Sequence, residues 1–191
     1  TNVVIAAGTP FSPVLTALHG IVARRVDPQQ PAVLTVGQVH AGTASNIIPP
    51  EVFLHGTMRS YDEGVRALLA EQVERALSIV RPLGGDYRLE ITRGYPAGKN
   101  SPIVSGWLAA TATDLLGPDT LDPMLPGMGA EDFAYMTAKV PGAMFHLGAA
   151  VGDMSRAHHT PVFDINERCL PIGAAILAET ARRFLAGEVK L

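Results

Sequence analysis

Apolar and polar positions along this chain fall into two periods, and the first half switches between them. Val14, Leu18, Ile21 and Val22 recur at helical spacing and predict a helix over residues 14–25, opened by Pro10 and Pro13 and ended by Asp27-Pro28. Residues 32–39, dense in Val, Leu and Thr, read as a strand. A small polar turn over 40–50 leads to a second strand, 52–60. There Val52, Leu54 and Met58 face one side and Phe53, His55, Thr57 and Arg59 the other. Asp62 is placed to cap a long helix with an apolar stripe of Val65, Leu68, Leu69, Val73, Leu77 and Val80. Gly84-Gly85 stops it, and 87–92 alternates as a third strand. Helix, strand, strand, helix, strand is one strand short of the split βαβ pattern. The missing strand is expected ahead of Thr1, because Asn2-Val3-Val4-Ile5 reads as the middle of a longer chain.

The turn-rich stretch 94–102 marks a boundary between a domain over 1–96 and a second over 97–191. Beyond it the pattern predicts a helix over 103–116 ending at Gly117-Pro118, a loop over 123–128, and a short helix over 130–139. A buried strand over 143–147, a long loop over 148–163 and a final helix over 166–185 follow. That last helix should turn Leu170, Gly173, Ile176, Leu177, Thr180 and Phe184 inward.

Composition narrows the function classes. With 47% hydrophobic and 17% charged residues the chain can bury a core, and its net charge of −3 comes without a basic stripe, against nucleic acid as a partner. No apolar run reaches the length of a membrane span, and no signal peptide is visible. A single cysteine, Cys169, excludes an intrachain disulfide framework, suits a reducing compartment such as the cytoplasm, and reads as a small core residue.

Four places offer chemistry. His158 and His159 sit in a loop stiffened by Pro161, and a neutral imidazole is the commonest protein ligand for a transition metal. The alternative, favoured by the local residues alone, is that they are loop histidines that bond nearby backbone. Arg59, near the end of a strand, is either a fork for a substrate carboxylate or a surface partner of Asp62. Asn46 either binds a carbonyl or closes its turn. Gly127-Met128-Gly129-Ala130-Glu131-Asp132 reads as a helix start whose free N–H groups favour an anion. There Glu131 and Asp132 serve the helix dipole or orient a metal-ligand histidine. The motifs for zincins, serine hydrolases and phosphate loops do not occur.

Several stretches in sequence order resemble the M20 family of metal-dependent amidohydrolases and peptidases, in the branch of hippurate, N-acyl-amino-acid and auxin-conjugate hydrolases. They are Gly42-Thr43-Ala44-Ser45-Asn46-Ile47-Ile48-Pro49, Gly56-Thr57-Met58-Arg59, Arg93-Gly94-Tyr95-Pro96, Met128-Gly129-Ala130-Glu131-Asp132-Phe133 and His159-Thr160-Pro161-Val162-Phe163-Asp164. The resemblance implies an α/β fold: an α+β lid of split βαβ, ferredoxin-like type over 1–96, lacking its first strand, and the C-terminal part of an α/β metallohydrolase catalytic domain over 97–191. It implies a dinuclear site of zinc or manganese for which His159 is the last ligand. Asn46 and Arg59 would bind the substrate's carbonyl and carboxylate, and Gly129 and Glu131 would line the pocket. The remaining ligands, the catalytic glutamate and a lid histidine would lie upstream of Thr1. The implied reaction is hydrolysis of the amide of an N-acyl amino acid or small peptide-like substrate by a homodimer joined through the lid. The isolated chain would hold no metal through dialysis. The competing class is a dimerisation or binding module without catalysis.

Overall fold

The computed structural model describes residues 2–6 as main chain, and 11–122, 127–152, 156 and 158–191 in full. Residue contacts divide the chain into two units, Thr1–Ala97 with Met128–Glu131, and Gly98–Gly127 with Asp132–Leu191.

The first unit is a four-stranded antiparallel sheet backed by two helices. Its elements are β1 (Asn2–Ala6), α1 (Ser12–Arg25), β2 (Ala32–Ala41), β3 (Glu51–Ser60), α2 (Glu63–Leu77) with a 3-10 extension Ser78–Leu83, and β4 (Tyr87–Glu90). The sheet order is β2-β3-β1-β4. The strand expected ahead of Thr1 is therefore the chain's own opening segment, and the split βαβ unit has all of its strands. Asn2–Ala6 pairs with β3 on one side and β4 on the other. Val3-Val4-Ile5-Ala6 shows no polar–apolar alternation, which is why the sequence hides this strand.

Side-chain chemistry sets the ends of these elements. Pro13 falls in the first turn of α1, where a missing N–H costs nothing. Asp62 caps α2 through the N–H groups of Gly64 and Val65 at 2.8 and 3.1 Å, and Gly84 at φ 84° ends its extension. Past β4, the Ala97 N–H donates to the Glu63 carboxylate at 2.9 Å, and that bond, with Arg66 beside it, holds the Glu63 pKa below the usual carboxylate range. Val14, Leu18, Ile21, Val52, Leu54, Val65, Leu69, Val73, Leu77 and Val80 form the core between helices and sheet. The alternation of β3 thus resolves into Val52 and Leu54 inward and His55, Thr57 and Arg59 exposed.

Two glycines let β2 lie on β3. Gly37 is the extra residue of a bulge, since the register passes from Val36↔Gly56 to Gln38↔His55. Without it every later side chain of β2 would change face. At Gly56 a Cβ would stand 2.4 Å from the Thr35 carbonyl oxygen. Gly56→Ala is expected to cost about 1–3 kcal/mol, the range for overpacking. Urea unfolding measures it, and an unchanged midpoint would show that the strands can part freely.

The second unit contains α3 (Pro102–Leu116), a 3-10 turn at Pro118–Thr120, α4 (Ala134–Thr137) and α5 (Cys169–Leu185). Leu108 and Ala112 of α3 pack on Ile176 of α5, with Val104, Ala143 and Phe145 against them. Two expectations are corrected here. Residues 143–147 are not a strand: Phe145 packs inward while Met144 and His146 stay exposed, as in a strand, but the Asn100 amide takes the place of a pairing partner. Asn100 donates to the Met144 carbonyl at 2.7 Å and accepts the Met144 N–H at 2.9 Å. On α5, Leu170 and Leu177 are 55% and 56% exposed instead of facing inward, while Cys169, Ile176 and Thr180 are buried.

α3 and α5 are also linked by charge. Arg183 bonds Asp114 at 2.7 Å and Glu179 at 2.9 Å, and Arg182 bonds Glu179 and Glu188. Arg182 and then Arg183 pull the Glu179 pKa down to about 2. A folded pKa below the unfolded one gives stability that is present above about pH 4.5 and lost as pH falls toward 2. Glu179→Gln should therefore lower Tm at pH 7 and match the wild type near pH 2. Because the network lies at the surface with Glu179 only half-buried, 0.5 M salt should shrink the pH 7 difference. An equal Tm difference at both pH values would dismiss the network's role.

Candidate functional site

The candidate residues divide between the two units, with Asn46, Arg59, Gly129 and Glu131 in the first and His159 in the second. In the first unit, the exposed end of β3 presents Arg59 opposite Val33 of β2. Its Nη1 donates to the Met128 carbonyl at 2.7 Å. Arg59 is thus brought together with the segment Met128–Glu131, 69 residues away in sequence. The alternative partner, Asp62, is engaged in capping α2, and no Arg59–Asp62 ion pair occurs among the described residues. One of five guanidinium donors is used by Met128, and among the described residues the others have no partner, which leaves a fork for an anion.

Asn46 lies exposed in the turn between β2 and β3, and among the described residues its amide has no partner. The turn closes without it. Gly129 and Glu131 are exposed, and a Cβ at Gly129 would meet nothing within 4 Å. The expected helix start at 127–132 is corrected. Helix α4 is a single turn, Ala134–Thr137, capped by Phe133, so Glu131 and Asp132 precede it and its first turn contains no acid. Neither the dipole reading of those two acids nor an anion-binding array of N–H groups at 127–132 holds. Residues 123–126 of the loop before it lie outside the described residues.

In the second unit His159 has φ 63°, the one non-glycine in the left-handed region among the described residues. Such a backbone costs of order 1–3 kcal/mol and tends to persist at functional positions. The surroundings impose it. Phe163 N–H donates to the Thr160 carbonyl at 3.1 Å, Asp164 pairs with Arg156 at 2.9 Å, and Asn166 N–H donates to the Ala149 carbonyl at 2.9 Å. His158 turns to Phe163, ring centroids 5.2 Å apart, and its ring lies 6.4 Å from that of His159. The two adjacent histidines thus have different neighbours. Residues 153–155 and 157 of this loop lie outside the described residues.

Zinc takes three or four protein ligands. Among the described residues no three His, Cys, Asp or Glu side chains gather to hold a metal ion. Among the described residues His159 therefore stands as a candidate ligand without two further ligands gathered beside it.

Sequence reasoning missed the Met128 carbonyl as the partner of Arg59, the Arg156–Asp164 pair and the Asn100 bracket, all contacts between segments of different period. It also passed over the rings of His40, Phe53 and His55, although the alternation of β3 already put Phe53, His55 and Arg59 on one face.

Comparison with known proteins places these features in a family. The profile of peptidase family M20/M25/M40 matches residues 6–183. The Bacillus subtilis protein YhaA, named as an amidohydrolase, is 37% identical over 173 residues, covering 89% of this chain and 44% of that protein. N-acetyldiaminopimelate deacetylase of Streptococcus suis is 35% identical over 167 residues, covering 86% of this chain and 44% of its own. The structure of Bacillus subtilis YxeP, described as a dinuclear metal binding peptidase from the M20 family, superposes with a TM-score of 0.72 at 23% identity. That superposition covers 94% of this chain and 48% of YxeP, a likeness of fold. The chain spans about half the length of the relatives it matches.

Proposed function

The chain belongs to peptidase family M20/M25/M40, and from that premise we propose that it forms the lid and the C-terminal part of the catalytic domain of a metal-dependent hydrolase acting on N-acyl amino acids or small peptide-like amides. The observation that carries this reading is Arg59. It is an exposed guanidinium on β3, with one donor on the Met128 carbonyl and the rest of its fork without a partner among the described residues. A carboxylate adjacent to the scissile amide is the natural partner for that fork. Asn46, with its amide unengaged among the described residues, is placed to donate to the substrate carbonyl. In this reading Gly129 and Glu131 would line the substrate pocket; what supports it is that they lie on the segment whose Met128 carbonyl Arg59 bonds.

Two divalent ions, zinc or manganese in this reading, supply Lewis acidity and a water of lowered pKa when bound. His159 contributes one imidazole, and its strained backbone fixes where that imidazole points. The other ligands and the catalytic glutamate belong to the rest of the protein.

In this reading the protein is a cytoplasmic homodimer. Strands β2 and β4 are the sheet edges, and edge pairing satisfies open backbone groups. We place the contact at β4 or α1, and light scattering that finds only monomer at micromolar concentration would rule it out. Among the described residues no helix is long and apolar enough to cross a membrane, and Cys169 is a buried free thiol.

The experiment is an assay of the full-length protein with zinc or manganese against N-acetyl and N-benzoyl amino acids, dipeptides, and amides lacking the carboxylate. Release of amino acid from the N-acyl substrates, with little turnover of the carboxylate-free amides, is expected. Equal turnover with and without the carboxylate would sink the reading.

A further inference from the structure

We propose that Arg156 and Asp164 are positioning residues for His159: their ion pair closes the loop around it and holds its imidazole in one direction. This rests on the reading of His159 as a metal ligand and names what aims it.

The main chain has to aim that ring. His159 is exposed, its ring centroid lies 6.4 Å from that of His158, and among the described residues its imidazole has no hydrogen-bond partner. A ligating imidazole is ordinarily oriented by a hydrogen bond on its second nitrogen. Without one, the direction of the ring follows the backbone, and at His159 the backbone stands at φ 63°. An L residue leaves that region unless its surroundings keep it there. No glycine or asparagine lies between Arg156 and Asp164, so residue type does not set the turn.

Two side-chain ties enclose His159. His158 packs on Phe163 with ring centroids 5.2 Å apart, and Arg156 Nη1 donates to Asp164 Oδ2 at 2.9 Å. The ring contact tolerates sliding, whereas the ion pair is directed at both ends. Asp164 Oδ1 accepts the Ile165 N–H at 2.9 Å, which orients the carboxylate and leaves Oδ2 to Arg156. The Arg156 side chain is about two-thirds covered, and its Nε is sealed from solvent. The guanidinium therefore lies against protein instead of swinging in water. An ion pair between two mobile exposed side chains contributes little. Here both partners are held, so the pair fixes the distance between residues eight apart in sequence. The base of the loop is closed separately, by the Asn166 N–H on the Ala149 carbonyl at 2.9 Å. Loss of the ion pair thus leaves the base closed and frees the turn within it. A pair that served stability alone would lower Tm when broken and leave His159 where it is.

The test follows the His159 Cα and ring signals of the isotope-labelled, metal-free chain by NMR, the Cα shift reporting the left-handed backbone. Arg156→Gln and Asp164→Asn should each move His159 out of that region. Arg156→Lys, which keeps a charged donor, should restore most of the wild-type position. The Trp107 indole signal should stay in place throughout and reports that each variant is folded. Salt at about 1 M screens the pair without any substitution, and it should shift His159 of the wild type in the same direction while leaving His19 unmoved. In the full-length protein, Arg156→Gln and Asp164→Asn should bind zinc or manganese about 10- to 100-fold more weakly, as loss of a ligand-orienting partner does. KM at saturating metal should be unchanged. His159 signals that stay in place when the pair is broken, whatever happens to Tm, would overturn the proposal. Should both neutral variants fail to fold, the salt titration of the wild type decides, and an unmoved His159 overturns it. The reading beneath it fails differently. A released His159 turn with undiminished metal affinity would leave the clamp in place and remove His159 from the ligands.

Discussion

His159→Ala is expected to lower kcat/KM of the full-length protein by at least about a thousandfold, roughly 4 kcal/mol of transition-state stabilisation, and to reduce its bound metal. The argument starts from the backbone. His159 stands at φ 63° in a loop tied down by the Phe163–Thr160 bond and the Arg156–Asp164 pair. An L side chain pays for that conformation, whereas glycine adopts it freely and asparagine tolerates it. If the position mattered only for its backbone, His159→Gly would be the better residue. We therefore expect His159→Gly and His159→Asn to keep or raise Tm while losing activity and metal as fully as His159→Ala. Stability and activity moving in opposite directions is the mark of strain kept for function. A glycine variant that retains turnover would show that the imidazole is dispensable. His158 provides the neighbouring control. Its ring packs on Phe163, so His158→Ala should cost stability and little activity.

Much of the first unit was legible because its elements are amphipathic. The stripe of α2 and the alternation of β3 each point one way only, and Asp62 and Gly84 bound α2 and its extension by local chemistry that needs no tertiary context. Asn2–Ala6 was not legible for the complementary reason. Its five residues are too few, and too uniformly apolar after Asn2, to show the alternation that marks the other strands, and its partners lie 45 or more residues away in sequence. The second unit misled where packing is carried by loops. Residues 143–147 have the exposure pattern of a strand, but one side-chain amide, Asn100, takes the place of a paired strand. Helicity of α5 follows from its sequence, whereas which of its leucines is covered does not, since Leu170 and Leu177 lie in the same apolar stripe as the buried Ile176. The candidate site shows the same division. Arg59, Asn46 and His159 stand out by residue type and motif. The strained turn at His159 and the Met128 carbonyl on Arg59 are products of the folded chain that no local pattern encodes.

Arg59→Ala is expected to raise KM for an N-acyl amino acid by about 30- to 100-fold, some 2–2.7 kcal/mol at about 1.4 kcal/mol per tenfold, with a smaller fall in kcat. Two contacts compete to explain such a loss. One is the fork on the substrate carboxylate, and the other is the bond that holds Met128 at 2.7 Å, on the segment bearing Gly129 and Glu131. Removing the guanidinium ends both, so the single variant cannot apportion them. Pairing it with a substrate change does. An N-acyl amide without the carboxylate already lacks the first contact in the wild type. If the fork dominates, Arg59→Ala should leave that substrate's kcat/KM within about threefold of wild type, because its partner is absent before the mutation. If holding Met128 dominates, both substrates should lose the same factor. Arg59→Lys refines the division. An ammonium keeps one donor for the Met128 carbonyl and one charge for the substrate, but loses the paired planar geometry. It should therefore recover turnover of the carboxylate-free amide and only part of the KM for the N-acyl amino acid. Full recovery of both by lysine would mean that charge alone is required and that the fork geometry plays no part.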